Sequence, residues 1–194
     1  MSKITNIKMK TLFMIMTVLG FSGCVTSSSY YVLSVASQPT TVYTNNNRTI
    51  GVEKVTVPEY LYKREIAVAK TSSQITMLSG AVWGEDLDAG LTQRLISFLQ
   101  KKFQQPRVYA YPWGVDRQPS VKVNVDITRF IAQGESVYLD GNWEVMNVNT
   151  KKRKAKLFNT SVATSNDAAS IVDAMDRAFG QLEEDVARGI KELY

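Results

Sequence analysis

"VKVNVDITRF", residues 121–130, decides the fold class. Val121, Val123, Val125 and Ile127 alternate with Lys122, Asn124 and Asp126. A period of two puts the four apolar side chains on one face of a strand and the polar ones on the other. The sheet therefore has one wet face, and other parts of the chain must cover the dry one.

Two segments with the helical period can provide that cover. Leu87, Leu91, Leu95, Phe98 and Leu99 recur at three- and four-residue spacing. Asp86 and Asp88 precede or open this run and Pro106 follows it, which predicts a helix from about Glu85 to Gln104. Ile171, Met175, Phe179, Leu182, Val186 and Ile190 form a second stripe, with Thr164 and Asp167 placed like a capping box ahead of it.

The remaining segments read as strands and turns. "YYVLSVA" (30–36) is a strand before a loop rich in Pro, Asn and Thr. In "IGVEKVTVPEYL" (50–61), Ile50, Val52, Val55 and Val57 change phase once, and Pro58 ends the strand. "EIAVAK", "QITMLS" and "RVYAY" are further strands, and "YPWGVDRQPS" is a loop presenting Trp113. "SVYLDGNWEVMNV" and "AKLFNTSVAT" flank "NTKKRK" and predict an antiparallel hairpin with a basic tip. The expected fold is α+β: one layered domain with a mixed, mostly antiparallel sheet of six to eight strands and two amphipathic helices packed on it.

Ahead of this domain, Lys3, Lys8 and Lys10 precede an apolar stretch from Leu12 to Phe21, and Ser22 and Gly23 lead to Cys24, the only cysteine. The uncharged run from Thr11 to Gly23 is shorter than the roughly 17–25 residues a membrane-spanning helix needs, so it reads as a signal peptide over residues 1–23. The end of the segment resembles the lipobox of bacterial lipoproteins, although Phe21 stands where Leu is usual and Leu19 lies two residues further back. The resemblance makes Cys24 the lipidation site and residues 24–29 a lipidated tether, with the domain over 30–194. No other cofactor is expected. With one cysteine no internal disulfide forms, and the remaining chain of about 170 residues must rely on its core.

Charge and composition exclude several functions. The chain carries 23 basic and 18 acidic residues, but three of the lysines precede Cys24, so the body is close to neutral and nucleic acid is not an expected partner. There is no histidine, which removes the Ser-His-Asp and Cys-His arrangements and the commonest transition-metal ligand. "GESVY" (134–138) reads as a hairpin turn rather than a nucleophile elbow. Glu85/Asp86 and Glu183/Glu184 read as solvated acids at a helix start and on a helix's polar face. The chain is not expected to be an enzyme or to hold a metal.

Tyr30, Tyr31 and Leu33, then Pro58, Tyr60 and Leu61, then Trp83, Glu85 and Leu87 follow the lipobox-like end in an order that resembles the ABC-type transport auxiliary lipoproteins, the paraquat-inducible protein C group. Tyr62, Lys63, Arg64 and Glu65 stand where that family often has Asp-Arg-Pro. The resemblance implies a lipoprotein on the periplasmic face of the outer membrane, and Val25 after the cysteine is compatible with that sorting. It also implies a periplasmic MCE-domain partner whose tunnel carries lipids between the membranes. Trp83 is expected to anchor the helix to the sheet. Tyr60, Leu61, Tyr62 and Trp113 are the candidate partner contacts, since aromatic side chains are favoured interface anchors. Lys151, Lys152, Arg153, Lys154 and Lys156 are the candidate contacts to anionic lipid. By analogy, a symmetric ring-shaped partner would be matched by a homo-oligomer. Two other readings stand beside this one: an envelope-assembly or cell-wall-binding lipoprotein, and a periplasmic enzyme using carboxylates alone.

Overall fold

The computed structural model describes residues 27–43, 48–114 and 118–194. Cys24 and the signal segment lie outside the described residues. In chain order the strands are β1 (Ser29–Tyr31), β2 (Ile50–Glu53), β3 (Glu65–Ala69), β4 (Ile75–Trp83), β5 (Val108–Tyr111), β6 (Val121–Gln133), β7 (Ser136–Asn147) and β8 (Arg153–Ala163). Helix α1 (Leu87–Lys102) joins β4 to β5, helix α2 (Ala168–Lys191) follows β8, and a 3-10 turn (Glu59–Tyr62) lies between β2 and β3.

The alternating stretch is the first half of β6, and the sheet is organised around it. One edge of β6 pairs antiparallel with β7, from Val121 opposite Asn147 to Gln133 opposite Ser136, and β7 pairs antiparallel with β8. Two groups share the other edge. Parallel β2 takes the start of β6, at Val121 to Val123, and carries β5. Parallel β3 takes the end, at Ala132 and Gln133, and carries antiparallel β4 and then parallel β1. At about 3.3 Å per residue, β6 spans about 40 Å, room for two short strands end to end. The expected mixed, mostly antiparallel sheet with two helices is what the chain forms.

Val121, Val123, Val125 and Ile127 are all buried, as the alternation requires. A bulge between Ile127 and Arg129 then shifts the phase, so that Phe130 and Ala132 continue the dry face. The strand expected to run to Pro58 ends at Glu53, and the change of phase falls in the segment after it, where Lys54 is exposed and Val55 and Val57 are buried before Pro58 opens the 3-10 turn. Gly134 and Glu135 form the tight turn between β6 and β7.

Both helices cover the dry face. Helix α1 lies against β5 and β2, and α2 lies against β7 and β8. Every residue of the predicted α2 stripe is buried. Trp143 of β7 packs so closely on α2 that a Cβ added at Gly189 would lie 2.4 Å from its ring. The indole N–H of Trp143 donates to Asp185 of α2 at 3.0 Å.

Three further sequence expectations are corrected. "YYVLSVA" is a strand only at Ser29–Tyr31, because Leu33 and Ala36 turn into the core at a spacing of three, which an extended strand cannot provide. That segment crosses α1, where the Lys101 ammonium donates to the Ala36 carbonyl at 2.8 Å and the Lys102 ammonium to Thr41 Oγ1 at 3.0 Å. The α2 cap is Asp167 rather than Thr164: the Asp167 carboxylate accepts from the Ser170 N–H at 2.9 Å, whereas the Thr164 hydroxyl donates to the Ser165 carbonyl. Glu183 is the third correction, since it faces the helix interface and is 0 % exposed.

Candidate functional site

The residues expected to contact a partner do not share one environment. The 3-10 turn after Pro58 turns Leu61 inward, where it is 2 % exposed and belongs to the core. Tyr60 is half-buried, and its hydroxyl accepts the Phe130 backbone N–H at 3.1 Å, in the bulged part of β6. Burial raises the Tyr60 phenol pKa above its ordinary value. Tyr62, the next residue but one, is exposed. Tyr60 and Leu61 therefore hold the turn, and Tyr62 is the side chain it presents to solvent.

The turn forms one wall of a cleft of about 290 Å³, with Leu61, Tyr62, Lys63 and Arg64 facing Gly84, Glu85, Asp86 and Leu87. The two sequence blocks on either side of β3 and β4 thus meet in space. The Trp83 N–H donates to the Arg64 carbonyl at 2.6 Å, and the Gly84 N–H donates to the Tyr31 carbonyl at 2.8 Å. Trp83 is buried and belongs to the core, which fits its expected anchoring role, and its indole nitrogen has no partner among the described residues. Glu85 and Asp86 are exposed at the start of α1, as expected of solvated acids. Lys54 reaches Asp88 at 2.5 Å, and hydrogen bonding to that carboxylate raises the lysine's pKa above its ordinary value.

Trp113 sits elsewhere, beyond the end of β5. Its ring meets Tyr109 and Tyr111 edge-on, with centroids 6.0 and 5.4 Å away, and rests over Gly51, where an added Cβ would lie 3.0 Å from the ring. The ring is half-buried, so part of it packs on the sheet and part is open to contact.

The basic hairpin forms between β7 and β8, but most of its cations are already engaged. Arg153 pairs with Glu144 at 3.2 Å, Lys154 pairs with Glu192, and Lys156 pairs with Asp185 at 2.8 Å. The Lys152 ammonium donates to the Glu192 carbonyl at 3.2 Å. The arrangement fastens the edge strand β8 to the end of α2 and leaves Lys151 as the residue of this cluster without such a contact among the described residues.

Sequence reasoning missed a charged network inside the helix interface. Arg94 of α1, 0 % exposed, donates through Nε to both Glu183 oxygens at 3.2 Å, and it also pairs with Asp176. Lys102, also buried, pairs with Glu184 at 2.6 Å. Burial pushes the Glu183 carboxyl up to about 7, and the attraction of Arg94 only partly opposes it. The available signal was the spacing: Asp176 and Glu183 are seven residues apart, so they stand on the same face of α2. Among the described residues no group of acids is placed to hold a metal ion, and no helix is long and apolar enough to cross a membrane.

The comparison with known families settles what kind of protein this is. Residues 31–187 match the model of the ABC-type transport auxiliary lipoprotein component, which is most of the chain. The chain belongs to that family. The family match runs from β1 into α2, so it includes the cleft, the aromatic loop and the hairpin. Two curated relatives, the intermembrane transport lipoprotein PqiC of Escherichia coli K12 and its Shigella flexneri counterpart, are each 24 % identical over 95 % of this chain and 100 % of their own length. Two crystal structures share the fold, both with a TM-score of 0.67 and both covering 84 % of this chain. One is an uncharacterized protein, 23 % identical with 99 % of its chain covered, and the other a Xanthomonas campestris protein, 16 % identical with 94 % covered. The auxiliary lipoprotein family is one of transport components rather than enzymes.

Proposed function

We propose that this lipoprotein is anchored on the periplasmic face of the outer membrane through Cys24 and serves an MCE/ABC-type intermembrane lipid transport system by docking its periplasmic MCE tunnel protein. The carrying observation is the family match over residues 31–187, joined to a similarity over the whole length of a relative named an intermembrane transport lipoprotein. The lipobox-like end at Cys24 supports the anchor, and confinement to a surface raises the effective concentration of the domain near a partner arriving from the other membrane.

Tyr62 and Trp113 are the side chains in this proposal that meet the partner, because both keep ring surface open to solvent. Leu61 and Tyr60 act behind them by fixing the turn. An anionic-lipid contact by Arg153, Lys154 or Lys156 would compete with the ion pairs these side chains make within the chain.

Affinity capture from detergent-solubilised envelopes tests the reading. An MCE-domain protein should be retained by the native chain, and the Tyr62→Ala and Trp113→Ala double variant should retain several-fold less while keeping its fold. Capture that yields no MCE-domain protein, from envelopes in which one is present, would overturn the proposal.

A further inference from the structure

The wet face of the sheet is uneven. Around β6, β7 and β2 it carries Glu53, Lys122, Asn124, Asp126, Asn142 and Glu144, joined by contacts such as Asn124 to Glu53 at 2.9 Å and Asn142 to Asp126 at 3.2 Å. The group β1–β4–β3 differs. Thr76 opposes Val68, which packs on the core, so Ile75 and Met77 point to the wet side. Gly80, at φ +72°, marks a change of phase, after which Ala81 and Trp83 are buried and Val82 faces outward beside Tyr30. Tyr30 is 69 % exposed, Ile75 42 % and Met77 37 %. Val32 continues this surface, within 3.2 Å of the Cβ position at Gly84, and is exposed as well. Arg129 and Glu65 stand at its border.

The chain enters the domain at this quadrant. The Ser27 carbonyl oxygen lies 3.7 Å from the Cβ position of Gly80, in the middle of β4. Three residue steps lead from the Cα of Cys24 to that of Ser27, a reach of about 10 Å. An acylated Cys24 therefore brings the bilayer within about 10 Å of Ser27 and the middle of β4, and within about 20 Å of Tyr30 and Met77 on either side. The hairpin tip at Lys151 lies past the start of β6, where the Val148 N–H donates to the Ser120 carbonyl at 2.9 Å. It is about 30 Å along the sheet from the level of β3, at strand rise.

From these placements we infer that the apolar quadrant formed by Tyr30, Val32, Ile75, Met77 and Val82 lies against the lipid bilayer, with the β7–β8 tip directed away from it. The inference rests on the proposed acylation of Cys24. An aromatic and aliphatic surface of this kind suits the boundary between headgroups and acyl chains, where apolar side chains enter by about 5–10 Å. The bilayer contact orients the domain, whereas the acyl chains alone fix only its distance.

The test uses the full chain, matured and reconstituted into vesicles of phosphatidylethanolamine and phosphatidylglycerol. Met77→Cys or Lys151→Cys carries an environment-sensitive fluorophore, and Cys24 is blocked by its own acyl group. The label at 77 should shift to the blue and lose about half its emission to brominated acyl chains, while the label at 151 keeps the emission it has in water. Mass spectrometry of the N-terminal peptide separates the two readings. An acylated Cys24 with a water-like label at 77 overturns the orientation alone. An unmodified sulfur overturns the anchor and the orientation together. A label at 77 shielded from aqueous iodide but untouched by brominated lipid means that protein covers the patch, whether a second copy or a partner, and overturns the inference as well.

Discussion

At residue scale Trp143 fits tightly against Gly189. The ring occupies the volume in which any larger residue would place its Cβ, so the helix and the sheet meet only because position 189 lacks one. Gly189→Ala should improve helix propensity by about 1 kcal/mol and lose more than that to overpacking, typically 1–3 kcal/mol. The net expectation is a lower urea midpoint with the slope unchanged, and a raised midpoint would show that the ring moves aside freely. The neighbouring Asp185 accepts from the Trp143 indole and also pairs with Lys156, so one carboxylate ties β7, β8 and α2 together. Neither contact has a sequence signature, because Trp143, Lys156 and Asp185 are distant in the chain.

At the scale of elements, the interface between α1 and α2 holds charges where a simpler design would hold leucines. Arg94→Ala leaves Glu183 buried without its partner, and breaking a buried pair in this way typically costs about 3–5 kcal/mol. The double variant Arg94→Met with Glu183→Leu should recover most of that loss in chemical denaturation, since a well-packed apolar pair replaces a desolvated ionic one at little or no cost. The pH dependence has a definite sign. Because the folded chain holds the Glu183 carboxyl at about 7, above its ordinary 4.5, folding favours the protonated form. The stability this gives is fully present below pH 4.5 and is lost as pH rises to 7. Arg94, Asp176 and Glu184 face the group, and the first opposes the shift while the two acids reinforce it. Glu183→Gln does not titrate, so its stability relative to the native chain should improve as pH rises through this window, measured by thermal unfolding. A relative stability that declines with pH would refute the assignment.

The elements themselves were legible to different degrees. Both apolar helix stripes and the alternation of Val121 to Ile127 were readable because each is a local period that burial enforces. The ends were not. Helix α1 starts at Leu87 rather than near Glu85 and stops at Lys102 rather than near Gln104, whose φ of +49° lies outside the helical range. The second half of β6 was hidden by the bulge, which breaks the period that identified the first half. Glu183 looked solvated because a carboxylate on a helix usually is, and only the approach of Arg94 from another helix puts it inside.

At the scale of the whole molecule, the proposed anchor can be tested apart from the body. The core is built from residues between Leu33 and Leu193, so under the proposed acylation Cys24→Ala should move the protein from the membrane pellet to the soluble fraction while leaving its thermal midpoint unchanged. Recovery of the variant in the pellet would count against lipid anchoring as the main attachment. Of the candidate contacts, the sequence treated Tyr60, Leu61 and Tyr62 as equivalent. The 3-10 turn separates them into a tie to β6, a core residue and an exposed ring.

By itself the sequence determined the α+β class, the two helix stripes, the hairpin, and the family, because all of these rest on residues close together or on motifs in a fixed order. Only the tertiary structure decided which side chains are free to act. It paired the basic hairpin with α2, buried Glu183 against Arg94, and gathered Tyr30, Ile75, Met77 and Val82 on one quadrant beside the incoming chain. The physical reason is that exposure and charge pairing depend on neighbours brought together by strand register and helix packing, and neither is written in local periodicity.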